Sequence, residues 1–235
     1  MIFLRGAENL LLRGGRNELM QEEKVVIFVH GIGGVLGIKD PHPKTLGRLH
    51  KALASSECEK PYNTRFVDFK YGPRGAFSSE FNSSEDAVAL IQCAQNHARV
   101  SGDGSDYRTE GVDIIAHSNG ARVVWRALSM GLPLGNIIWL NPALESDVEL
   151  TELDFKSLTV VTNRYDKAIW FGAIIPFHKF GLGGVKGFWD QDSRIKIIEK
   201  KSWRGILSVN HNYLFNKKNM PWLVKLVQNK FWKIN

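Results

Sequence analysis

Ser118 stands in the run Val-Asp-Ile-Ile-Ala-His-Ser-Asn-Gly-Ala-Arg-Val-Val, residues 112–124, where a buried-strand pattern runs straight into a helical one. Ala116 lies two residues before the serine and Gly120 two after it. That spacing has a chemical use. A serine at the apex of a tight strand-to-helix turn is held in a strained backbone conformation with its hydroxyl exposed. Larger side chains at the two flanking positions would collide where strand and helix cross. The turn also sets the hydroxyl over a helix N-terminus, where developing negative charge is favoured. Such a serine can attack an acyl carbon if a base takes its proton. The competing use of a serine at this point is to cap the helix and nothing more.

A second segment with chemical potential is His-Gly-Ile-Gly-Gly, residues 30–34, directly after the apolar run Lys24–Val29. Glycines let the backbone approach a substrate carbonyl and aim N–H groups at an oxygen that becomes negative. A glycine-rich turn can also cradle phosphate, but that needs a Lys-Ser/Thr pair or the G-x-G-x-x-G spacing. Here Gly34 is followed by Val35 and Leu36. His30 and His117 flank these two segments and read as residues that hold the loops by hydrogen bonds.

Positioning these groups requires a sheet. Strand and helix periods alternate from about residue 24, the pattern of a mostly parallel sheet with helices on both faces. Strands are expected at 24–29, 62–69, 112–116, 136–140, 158–162 and 194–199. Helices are expected at 45–54, from Ser84 as cap to about Val100, at 119–130 and at 220–232. The stripes Leu46, Leu49 and Leu53, then Val88, Ile91 and Ala94, then Val123, Val124, Ala127 and Leu128 should face inward. One or two edge strands are expected near 2–4 and 10–13. The whole chain, 1–235, reads as one domain.

The Ser118 segment resembles the nucleophile elbow of the α/β-hydrolase fold, with Ala116 in place of the usual first glycine of G-x-S-x-G. The turn at 30–34 resembles the loop that supplies one oxyanion-hole amide in that family. The resemblance implies that the backbone N–H groups of Ile32 and Asn119 form the oxyanion hole. It also implies the chain order nucleophile, acid, histidine. Asp166, in Asn-Arg-Tyr-Asp after strand 158–162, then becomes the acid, with Asp147 as its main rival. Asp190 and Asp192 come too late. His211, between the last strand and the final helix, becomes the base. His178 precedes the last strand and fits less well. His42, His50 and His97 read as exposed. The implied activity is hydrolysis of a carboxylic ester through an acyl-enzyme, of the esterase or lipase-like kind, with no metal or organic cofactor. A thioester or amide substrate would use the same triad, and a non-catalytic binding module of this fold is the alternative from another class.

The remaining composition narrows the partners. The chain has 235 residues, 43% hydrophobic and 23% charged, which suits an ordinary globular domain without disulfide staples. Cys58 and Cys93 form no CxxC pair and read as free thiols in a reducing, cytoplasmic setting. No run is long and apolar enough for a transmembrane segment. The net charge of +7 is spread thinly, and no nucleic-acid motif accompanies it, so a nucleic acid is not the expected partner. The space between strands 136–140 and 158–162 leaves no room for a large lid domain. The apolar insertion at 167–193 is expected to wall the site, with Trp170, Phe171 and Phe177 lining a pocket for a small-molecule or lipid-like acyl ester. Packing on the core, burial in a dimer and peripheral contact with a membrane are its other uses.

Overall fold

The computed structural model describes residues 24–31, 44–55, 64–69, 83–100, 107–174, 181–186, 188, 192–200 and 211–232. Six strands form one sheet: β1 (Lys24–Val29), β2 (Thr64–Phe69), β5 (Val112–His117), β6 (Leu134–Leu140), β7 (Phe155–Thr162) and β8 (Ile195–Glu199). Their order is β2-β1-β5-β6-β7-β8, and each neighbouring pair is parallel. A two-residue antiparallel pair, β3 (Arg99–Val100) and β4 (Tyr107–Arg108), stands apart.

Alternation along β1 explains why its apolar run is unbroken. Val25, Ile27 and Val29 enter the core on one face, with α2 (Ser83–His97) and α3 (Gly120–Ser129). Val26 and Phe28 enter the other, with α1 (Leu46–Ala54) and α6 (Met220–Val227). A strand covered on both faces needs apolar residues at both parities. The α1 stripe of Leu46, Leu49 and Leu53 is fully buried, as expected, and so are Val123, Val124 and Ala127 of α3. Among the described residues no helix is long and apolar enough to cross a membrane.

Several expectations need correction. The second helix begins at Ser83, so Ser84 lies inside it, and it ends at His97, before the short strand β3. Its buried apolar positions are Ala87, Leu90 and Ala94, whereas Val88 is 41% exposed. Small residues on both sides of the stripe blurred its phase. His50 is half-buried: its Nδ1 lies 3.1 Å from Asp68 Oδ1 and its ring stacks on Phe28. The final helix loosens into a π-helical turn at Gln228–Trp232. The edge strands expected near 2–4 and 10–13, and Cys58, His42, His178 and Asp190, lie outside the described residues.

The insertion at 167–193 divides into two parts. Its start is a helix, α4 (Lys167–Ile174), and a single turn, α5 (Gly183–Lys186), comes later. The later part packs on the core. Gly183 N–H donates to Leu144 O at 2.8 Å, and the ring of buried Phe188 meets Trp139 at 5.6 Å. A Cβ on Gly181 would fall 1.9 Å from Glu145 N, so no other residue fits there without moving the backbone. The segment Asn141–Asp154, between β6 and β7, is too short to hold a lid domain.

Candidate active site

The sheet order reverses between β1 and β5, since β2 lies on one side of β1 and the later strands on the other side of β5. A crevice at the carboxyl ends of such strands is where open α/β sheets bind ligands. His30 and Gly31 leave β1 there, and Ser118 leaves β5.

Ser118 has φ +55° and is 7% exposed. A left-handed serine costs about 1–3 kcal/mol and must be held by its surroundings. Three backbone hydrogen bonds hold it: Ser118 N–H donates to Leu140 O at 3.0 Å, and Ser118 O accepts from Ala121 and Ala143 N–H groups at 3.1 Å each. The neighbouring glycines are required by proximity. A Cβ on Gly120 would lie 2.4 Å from Val29 O and 2.7 Å from His30 O, both backbone atoms that cannot swing away. A Cβ on Gly31 would lie 2.8 Å from Ser118 Cβ and 3.3 Å from its Oγ. Gly120→Ala is therefore expected to lower the stability by about 1–3 kcal/mol, as overpacking does. Gly31→Ala should cost less stability but disturb the serine itself. Thermal melts beside fluorophosphonate labelling rates will separate the two effects.

Asp166 and His211 come together from different strand ends. His211 Nδ1 lies 2.7 Å from Asp166 Oδ2, with the carboxylate fully buried and the imidazole 19% exposed. The other oxygen, Oδ1, accepts from the N–H groups of Ala168 (3.1 Å) and Ile169 (3.3 Å), so Asp166 also caps α4. With both oxygens engaged, the carboxylate cannot rotate freely. The His211 carbonyl accepts from Asn141 Nδ2 at 3.0 Å. Asn141 itself is left-handed, with φ +46°, at the end of β6. Buried Tyr213 donates its hydroxyl to Lys200 O at 2.5 Å, and burial together with the Asp166 carboxylate pushes its phenol pKa upward. Asp147 is exposed in the turn after β6.

His117 joins the two halves. It precedes Ser118, it is buried, and its ring meets His211 at 4.8 Å between centroids and Phe215 edge-on at 5.0 Å. Burial, then the nearness of His211 and His30, holds its pKa well below the ordinary histidine value. Its ring packs on His211 and Phe215, and a backbone hydrogen bond with His211 partly offsets the fall in its pKa. His30 Nδ1 lies 2.6 Å from Gly31 O.

The structure thus brings His211 to Asp166, and Gly31 to Ser118. Among the described residues no hydrogen bond joins the Ser118 hydroxyl to His211. Asn119, 1% exposed, starts the helix, where the first amides have no acceptor within the helix. Ile32 and Phe177 lie outside the described residues, and of Phe171 only the helical backbone is described. Trp170 is 40% exposed, with its indole N–H donating to Arg164 O at 3.1 Å. Sequence reasoning missed Asn141. Its signal was an asparagine, which tolerates a left-handed backbone, at the end of the strand beside the serine strand.

No family model matches the sequence, and no curated protein matches it. Solved structures do. An esterase from Pyrococcus furiosus matches at TM-score 0.52 and 14% identity, covering 90% of this chain and 84% of its own. An esterase from the bacterial hormone-sensitive lipase family matches at TM-score 0.50 and 14% identity, covering 90% and 78%. With its parallel sheet and its two helical layers, the chain has the α/β-hydrolase fold.

Proposed function

We propose that the chain is a serine hydrolase of carboxylic esters, with Ser118 as nucleophile, His211 as base and Asp166 as the acid behind it. The observation that carries this reading is the 2.7 Å contact between Asp166 and His211, set one ring away from the residue that precedes a left-handed serine. The esterases that share the fold support the choice of substrate class.

The chemistry follows from the contacts. With its Nδ1–H donated to Asp166, the neutral His211 ring has its lone pair on Nε2. That nitrogen takes the Ser118 proton as Oγ attacks the acyl carbon. Catalytic hydrogen bonds commonly close only when substrate is bound, so the serine hydroxyl need not rest on the imidazole beforehand. The carbonyl oxygen gains the charge, and the amides of Asn119 and Ile32 receive it. The C–O bond then breaks, and His211 returns its proton to the leaving alkoxide. Water, deprotonated by the same nitrogen, releases the acid and restores the serine. The test is incubation with a fluorophosphonate probe and mass mapping of the label. Labelling at Ser118 is the expected result; a label elsewhere, or none, removes the reading.

The acyl group is assigned to the start of the insertion, at Trp170, Phe171 and Phe177. If these residues enclose the chain, each methylene contributes about 0.8 kcal/mol. Phe171→Ala or Phe177→Ala should then shift the length preference of kcat/KM across an acetyl-to-decanoyl series, with the acetyl ester changed only a few fold. Uniform loss with a lowered Tm would instead mean that this part packs as core, as Gly181, Gly183 and Phe188 do.

A further inference from the structure

A groove of about 630 Å³ lies between α1, the turn Tyr213–Phe215 and α6, and neither Ser118, Asp166 nor His211 lines it. Its size suits a small molecule. Phe215, Met220, Pro221 and Val224 give it apolar walls. Arg48 and Lys217 give it positive charge, and among the described residues no acidic side chain lines it. Arg48 makes one long contact back to the wall, Nη1 to Phe215 O at 3.5 Å. A guanidinium has five N–H donors in a fork that matches a carboxylate, so this contact leaves it able to bind one.

The two kinds of wall select a ligand. A neutral chain would leave the two cations without a counter-charge, and a small bare anion would leave the apolar walls uncovered. A cationic amphiphile would be repelled. We propose that this groove is a second binding site, one for a medium-chain alkyl carboxylate, with the chain along α6 and the carboxylate at Arg48 and Lys217. Phe215, on the inner wall, is the same residue whose ring meets His117, and His117 in turn meets His211. An occupant therefore sits two ring contacts from the proposed base without entering the crevice at the strand ends.

The inference does not depend on Ser118 acting as a nucleophile, and the test keeps the two apart. Octanoate is titrated calorimetrically into the full chain and into Ser118→Ala, with 1-octanol as the uncharged control. Expected are equal octanoate affinities for the two proteins and octanol binding about tenfold weaker. The double variant Arg48→Ala/Lys217→Ala should bind octanoate about tenfold more weakly at unchanged Tm, since two exposed charge contacts together are worth about that factor. Val224→Trp, which fills the groove, should also remove binding. The proposal is overturned if free octanoate does not bind, if octanol binds as well, or if both variants keep the affinity. Binding to anionic vesicles without binding to free octanoate overturns it too, because the surface would then be reading a membrane.

Discussion

Ser118→Ala is expected to leave a folded chain that takes no fluorophosphonate label and turns over p-nitrophenyl acetate at no more than a small residual rate. Without the hydroxyl no acyl-enzyme forms, and the remaining groups supply only a small part of the acceleration. The left-handed backbone adds a sharper expectation. Alanine at φ +55° keeps the strain, whereas glycine does not. Ser118→Gly should therefore be equally inactive but more stable than Ser118→Ala, by roughly 1 kcal/mol. Full activity in either variant would dispose of the nucleophile assignment. Equal stability would show that the surrounding hydrogen bonds, and not the side chain, set the cost.

Asp166→Asn is expected to reduce kcat by roughly 10⁴-fold, because an amide in that place permits the wrong imidazole tautomer. The structure shows how to separate this from a folding defect. Asp166 Oδ1 caps α4 through Ala168 and Ile169, while Oδ2 faces His211. Asparagine can keep the cap through its one oxygen, and its amide then opposes Nδ1. Alanine loses both contacts, so Asp166→Ala should also lower the stability by about 0.5–2 kcal/mol. Exposed Asp147, as Asn, should change turnover by no more than a few fold. A larger loss from Asp147 than from Asp166 would put the acid after the wrong strand.

The strands at the centre of the sheet were legible because covering on both faces favours apolar residues at both parities. Val25–Val29 and Ile137–Leu140 leave no other reading. The turn at Ser118 was legible for a steric reason: the small residues around it are those a strand-to-helix crossing tolerates, and Gly120 meets the backbone of β1. The phase of α2 was not, since Ala87, Val88, Ile91 and Ala94 supply apolar positions around much of the helix. Asn141 was also hidden, because its part depends on a contact 70 residues away in the chain. The division of the insertion was illegible too. Apolar residues and glycines run through both parts of it, and only the approach of Gly181, Gly183 and Phe188 to their neighbours tells core from surface.

His211 is gripped from three sides: by Asp166 on its ring, by Asn141 on its carbonyl and, two residues on, by the tether from Tyr213 to Lys200. The three holds come from the ends of β7, β6 and β8, which are neighbours in the sheet. The imidazole is thereby registered against three adjacent strands at once, and a designer who wished to move it would have to rebuild three strand ends together.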